Sequence, residues 1–124
     1  MKKLILLLSL ILVSFNVMAE WRYYGTSNED DIYFYDDSSI EKNGSIVKLW
    51  VSSEFKRRDE TGALSDRDKM LIDCNNQLYG FNFVTTYSEH GLKGKSIFND
   101  YVSEKMYPIA PTSTVRKLFN IVCK

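Results

Sequence analysis

Two cysteines, Cys74 in KMLIDC and Cys123 one residue from the C-terminus, are the only ones in the 124-residue chain. Their positions constrain the fold more than any other feature. Near the end, Val115, Leu118, Phe119 and Val122 fall at i, i+3, i+4 and i+7, the spacing of one helical face. Pro111, Thr112 and Ser113 precede them and offer a helix start, with Thr112 or Ser113 as N-cap. Cys123, four residues after Phe119, belongs to the same stripe, and Cys74 shares a strand face with Met70 and Ile72 at period two. Both thiols therefore point into one core. A helix this short is marginal alone, and at a terminus it frays unless tied down. A Cys74–Cys123 bridge closes a loop of about fifty residues, which the chain-entropy model values at about 4 kcal/mol.

The bridge needs an oxidising compartment, and the N-terminus points to one. Lys2 and Lys3 are followed by an apolar run from Leu4 to Val13, then Val17 and Ala19 at the −3 and −1 positions of a small-residue cleavage site. That run is well short of the ~20 residues needed to span a bilayer. The expectation is a cleaved signal peptide over residues 1–19 and one domain over 20–124, periplasmic, secreted or at the cell surface. No cysteine follows the apolar run as an acceptor for lipid, so a lipoprotein is not expected, nor is a transmembrane segment in the mature chain. Loss of Lys2 and Lys3 with the leader leaves fourteen basic against sixteen acidic residues. That balance argues against nucleic acid as a partner.

From Trp21 onward the pattern is strand-like. WRYYG and DIYFYDD are short and aromatic, and Asn43-Gly44 marks a tight turn. In SIVKLWVSSEF, Val47, Leu49 and Val51 alternate with Lys48, Trp50 and Ser52. Lys56 to Asp68 is dense in charge and reads as an exposed loop. KMLIDC, QLYGFNFVTTYS and KSIFNDY are three further strands, and period two puts Tyr79, Phe81, Phe83 and Tyr87 on one face, as core or as a platform for a partner or a glycan. On the helix, Arg116, Lys117 and Asn120 fall opposite the apolar stripe.

Trp21, YFYDDSSI, NGSIVKLW ending at Trp50, KMLIDC with Cys74, a strand with Tyr79, and YPIAPTSTVRKLFNIVC follow in an order that resembles the bacterial surface-adhesin E family. The resemblance implies an α+β fold, one antiparallel sheet of about six strands with a C-terminal helix held to it by the disulfide. It also implies an envelope protein whose relatives bind host matrix and plasma proteins and can dimerise. Free edge strands of an open sheet make a homodimer a second expectation in their own right.

Little points to catalysis. His90, in SEHGLKG, is the sole histidine and sits in a turn-like setting. The sequence holds no nucleophile elbow, phosphate loop or metal-spaced cluster, so no enzyme, cofactor or metal is expected. The acidic pairs in NEDD and YDDSS read as solvated strand ends. Two surface features remain for partner binding. Lys56, Arg57 and Arg58 form the densest basic patch. Lys124 offers a lysine side chain beside a carboxylate, a pair that lysine-binding domains recognise, or else complements the negative end of the helix. The expected function is an exported, non-enzymatic binding protein contacting host matrix or plasma proteins. The alternative is a periplasmic accessory protein that binds another envelope component.

Overall fold

The computed structural model describes residues 18–124; the leader expected over 1–19 lies outside them up to residue 17. Strands β1 (Trp21–Thr26), β2 (Ile32–Asp36), β3 (Glu41–Asn43), β4 (Ile46–Glu54), β5 (Ser65–Asp73), β6 (Leu78–Glu89), β7 (Lys93–Tyr101) and β8 (Tyr107–Pro108) precede helix α1 (Thr114–Val122). All eight strands join one antiparallel sheet in the order β1-β2-β4-β5-β6-β7. β3 pairs with β4, and β8 with β6. The six-stranded sheet with a C-terminal helix is as expected, with two short strands added.

The alternation in β4 explains its central place. Val47, Leu49 and Val51 are buried under the helix, within a core that also takes Tyr24, Tyr35, Met70, Ile72, Ile109, Leu118 and Val122. One edge of β4 runs against β5 for its full nine residues. The other is divided, with β2 along Val51–Glu54 and β3 along Ile46–Lys48. The 3-10 turn Asp37–Ser39 fills the gap, where the Ser39 hydroxyl donates to the Asp36 carbonyl at 2.7 Å and accepts from the Trp50 amide at 2.9 Å. Asp36, read from the sequence as solvated, is buried and caps this turn. Burial acts to raise its carboxyl, but bonds from the Ser38 hydroxyl and the Glu20 and Ser38 amides outweigh that and hold it below the usual carboxylate range.

Two readings of the sequence are corrected here. The charged stretch from Lys56 to Asp68 is a loop only as far as Leu64; Ser65 to Asp68 continue β5, paired on both sides, with Ser65 and Asp68 buried. Its charges divide between the two faces of the strand, which a composition count cannot show. In β6 the aromatic face is broken by a bulge, since Met70 lies opposite Phe81 but Lys69 lies opposite Phe83. The extra residue, Asn82, reverses the side on which later side chains emerge. Tyr79 and Phe81 pack on the core, whereas Phe83, and Tyr87 after it, turn to the opposite face.

Helix α1 begins as its sequence suggests. Ser113 is the N-cap, its hydroxyl accepting from the Arg116 amide at 3.2 Å. Leu118 and Val122 are buried, with Val115 and Phe119 packed beside them. The first turn lies on β1 at Gly25, where an added Cβ would meet the Thr114 methyl at 3.1 Å. Cys123, at the far end, is bonded to Cys74 with 5.6 Å between Cα atoms. Arg116 departs from its exposed assignment: it is half-buried, stacks its guanidinium 4.8 Å from the Phe119 ring centroid and donates to the Ile109 carbonyl at 2.7 Å. It straps the approach to the helix against the helix itself.

Truncation should report which face of α1 is inside. Leu118→Ala, with no exposed surface, is expected to cost about 2–5 kcal/mol in urea denaturation. Lys117→Ala should stay within about 0.5 kcal/mol. Equal losses for the two would contradict this placement of the helix.

Candidate functional site

The sheet has a second face that the helix does not touch, and the register of four strands builds a row across it. Trp50 on β4 lies opposite Lys69 on β5, Lys69 opposite Phe83 on β6, and Phe83 opposite Tyr101 on β7. The Phe83 ring meets Trp50 edge-on at 6.2 Å and Tyr101 edge-on at 4.9 Å. Such contacts hold rings in place beyond their area burial. Tyr101 keeps 77% of its surface exposed.

Two cations complete the row. The Arg67 guanidinium lies 3.7 Å from the Trp50 ring centroid and the Lys69 ammonium 5.2 Å from it. Neither forms an ion pair among the described residues. Cation–π attraction of about 0.5–1 kcal/mol at such sites positions both charges without neutralising them. Trp50, Lys69, Asn82, Phe83 and Tyr101 enclose a shallow hollow of about 300 Å³. The return segment after β7 crosses the same face at Gly80, where a Cβ would come 2.5 Å from the Lys105 carbonyl oxygen, so only glycine allows that approach. Toward the opposite edge the aromatic surface continues through Phe34 and Tyr23, 6.3 Å apart.

This surface offers flat rings beside unneutralised cations. That combination stacks on planar or apolar ligand surface and accepts carboxylate or sulfate groups from the same partner. It has no deep recess. His90 lies away from it on the β6–β7 turn, its Nε2 2.8 Å from the Phe55 carbonyl oxygen.

The residues singled out from the sequence lie elsewhere. The Lys56 amide donates to Asp31 Oδ1 at 2.9 Å. Arg58 donates to the Gly62 carbonyl at 3.0 Å and to the Ser88 carbonyl, with Glu89 at 3.7 Å. Arg57 and Arg58 share a hollow with Glu29, Asp31 and Asp59. The patch is therefore basic in sequence but mixed in space. Lys124 follows Cys123, at the other end of β5, so the strand separates it from the triplet by about 26 Å at ~3.3 Å per residue. The structure does not bring the two together. Of the row itself, the sequence marked Trp50, as an aromatic residue on the side of β4 opposite its valines, and Phe83, as one of four aromatic residues of β6 read as core or as a platform for a partner or a glycan.

The comparisons agree with this architecture. No curated protein matches the chain. The fold is similar to that of protein E from non-typeable Haemophilus influenzae, at 18% identity with a TM-score of 0.59, over 87% of this chain and 78% of that one. A selenomethionine form of Haemophilus influenzae protein E gives 18% identity and a TM-score of 0.61 over 88% of this chain and 92% of that one. A second crystal form gives 18% and 0.59 over 90% and 95%. The model of one family, described as surface-adhesin protein E, matches residues 21–124, from the first strand through the disulfide-bonded helix. The chain belongs to the surface-adhesin protein E family.

Proposed function

We propose that the chain is an exported, non-enzymatic binding protein that contacts host matrix or plasma proteins, and that the Trp50–Lys69–Phe83–Tyr101 row is its principal contact surface. The observation that carries this reading is the row itself. Aromatic residues and arginine dominate the energetics of protein interfaces, and here they stand together on the face of the sheet opposite the helix. Membership of an adhesin family supports a protein partner. Among the described residues no helix is long and apolar enough to cross a membrane. The basic triplet and Lys124 are secondary contacts, the triplet weakened by the carboxylates around it.

A second copy of the chain is the other partner we propose. β7 is an outer strand whose nine residues are all exposed, including Ile97, Phe98 and Tyr101, and its outer edge is free to extend the sheet of another copy. Sedimentation at high micromolar concentration should show a concentration-dependent dimer. A monomer throughout would remove this contact.

Immobilised protein tested against vitronectin, laminin and plasminogen would separate the surfaces. Trp50→Ala with Tyr101→Ala should weaken binding by about 2 kcal/mol or more, as truncation of central anchors does. The Lys56, Arg57, Arg58 triple-alanine variant should lose less, and mainly at low salt, where charges act beyond about 10 Å. Lys124 deletion should have the smallest effect unless a free lysine analogue competes. Binding that survives loss of both aromatic residues would contradict the assignment of the row. Absence of binding to all three, together with release by osmotic shock and resistance to protease on intact cells, would favour the periplasmic accessory protein.

A further inference from the structure

The residue just before β1 rests on a buried carboxylate, a contact that the adhesin reading leaves unused. The Glu20 amide donates to Asp36 Oδ1 at 2.9 Å, and the Glu20 carbonyl accepts from the Asp37 amide at 3.0 Å. Asp36 keeps only 6% of its surface exposed, and the same Oδ1 accepts from the Ser38 amide at 3.0 Å and the Ser38 hydroxyl at 2.6 Å. Among the described residues no cation forms an ion pair with it, since Arg22 is directed at Glu20 and Asp37 instead. Immediately upstream, Met18 and Ala19 are exposed. The Ala19–Glu20 bond is thus open to a peptidase, while the nitrogen on its far side already touches Asp36.

We infer that leader removal cuts between Ala19 and Glu20, a premise that rests on the export proposed above, and that the α-ammonium so created on Glu20 forms an ion pair with Asp36. Hydrolysis adds one water across the peptide bond. Ala19 leaves with the new carboxylate, and Glu20 keeps the amine, which takes up a proton below about pH 8. The geometry needs no rearrangement, because the nitrogen stands in place before the cut. An amide offers Asp36 one N–H and no charge, whereas an ammonium offers three N–H donors and the missing positive charge. A charge-assisted bond is about twice as strong as a neutral one. Asp36 also caps the 3-10 turn whose Ser39 hydroxyl holds the Trp50 amide. The new terminus therefore braces the turn beside the aromatic row, and a precursor with its leader attached has only the neutral bond there.

The surrounding charges set how the pair titrates. Asp36 comes from β2, Asp37 from the 3-10 turn and Arg22 from β1, with the Glu20 carboxylate beside them, and Arg67 from β5 acts on Asp36. The carboxylates favour the ammonium. Arg22 opposes it, but is more than half exposed and occupied by Glu20 and Asp37. Burial acts to raise the Asp36 carboxyl, yet the bonds from Ser38 and Glu20 hold it below the usual carboxylate range, so it is charged at neutral pH. An amine raised by this partner stabilises the fold in full below its unfolded value of about 7.7–8.0. That contribution is lost as pH rises through the folded value. The share of Asp36, whose folded value is depressed, is lost instead as pH falls through it.

Protein released from the periplasm of cells expressing the full chain provides the test. Its amino terminus is sequenced, and the terminal amine is titrated by trace acetylation across pH, read by mass spectrometry of the terminal peptide. The chain should begin at Glu20, and its amine should titrate about one pH unit higher than in urea-unfolded protein. Asp36→Asn should remove that rise. Insertion of one serine after Ala19 leaves Asp36 intact and moves the charge away from it. This variant should melt below wild type at pH 7 and match it at pH 10, where neither terminus is charged. A periplasmic chain that begins elsewhere, an amine that titrates as in urea, or a melting difference independent of pH would each overturn the inference and leave the export reading standing. A chain that keeps its leader in the cytoplasm would overturn both.

Discussion

A nine-residue helix has to shield one face of a sheet much larger than itself. At 1.5 Å per residue α1 is about 13 Å long, whereas the twelve residues of β6 span about 40 Å and six strands at ~4.8 Å spacing are about 24 Å wide. The helix therefore covers only the middle of its face, where Leu49, Met70 and Ile72 meet Leu118 and Val122. Its two ends determine where cover stops. The disulfide holds the last turn to the end of β5, and the cap at Ser113 stands over Gly25 on β1. A helix this short has little stability of its own, so its place depends on that bond and on the stripe beneath it.

The two faces acquire different properties from this partial cover. On the helix side, strand residues beyond the first turn are buried by the curl of the sheet without being packed by the helix. Asp68 and the tyrosines meet there as a cleft. On the other side no helix packs; the return segment after β7 crosses at Gly80, and the residues of the row beside it reach water from a rigid base. The bulge at Asn82 distributes β6 between these environments, with Phe81 to the core and Phe83 to the open row. Were Asn82 paired in regular register instead of bulged, Phe83 would share the helix side with Phe81 and the row would lose its middle ring.

The elements with strict periodicity were legible from the sequence. Val47, Leu49 and Val51 identified the buried side of β4, and Val115, Leu118 and Val122 that of the helix. With Cys74 and Cys123 on those same sides, the disulfide followed. Features that depend on pairing were not legible. The bulge leaves no mark in QLYGFNFVTTYS, because a strand of aromatic and β-branched residues looks regular until its neighbour sets the register. Arg67 and Asp68 read as loop charges because only their strand partners place one over Trp50 and the other, buried, on the helix side of the sheet. The basic triplet erred in the opposite direction. Lys56, Arg57 and Arg58 are adjacent in sequence, but the carboxylates that temper them, Glu29, Asp31 and Glu89, come from distant segments.

Native-state hydrogen exchange with and without a reductant tests the division of the molecule most directly. With the disulfide intact, amides of α1 and of the central strands β4 and β5 should both be protected. On reduction the α1 amides should fall to the weak protection of a short isolated helix, while β4, β5 and the Phe83–Thr85 segment of β6 keep most of theirs. Loss of protection across the sheet in step with the helix would contradict the account, as would a helix whose protection does not change.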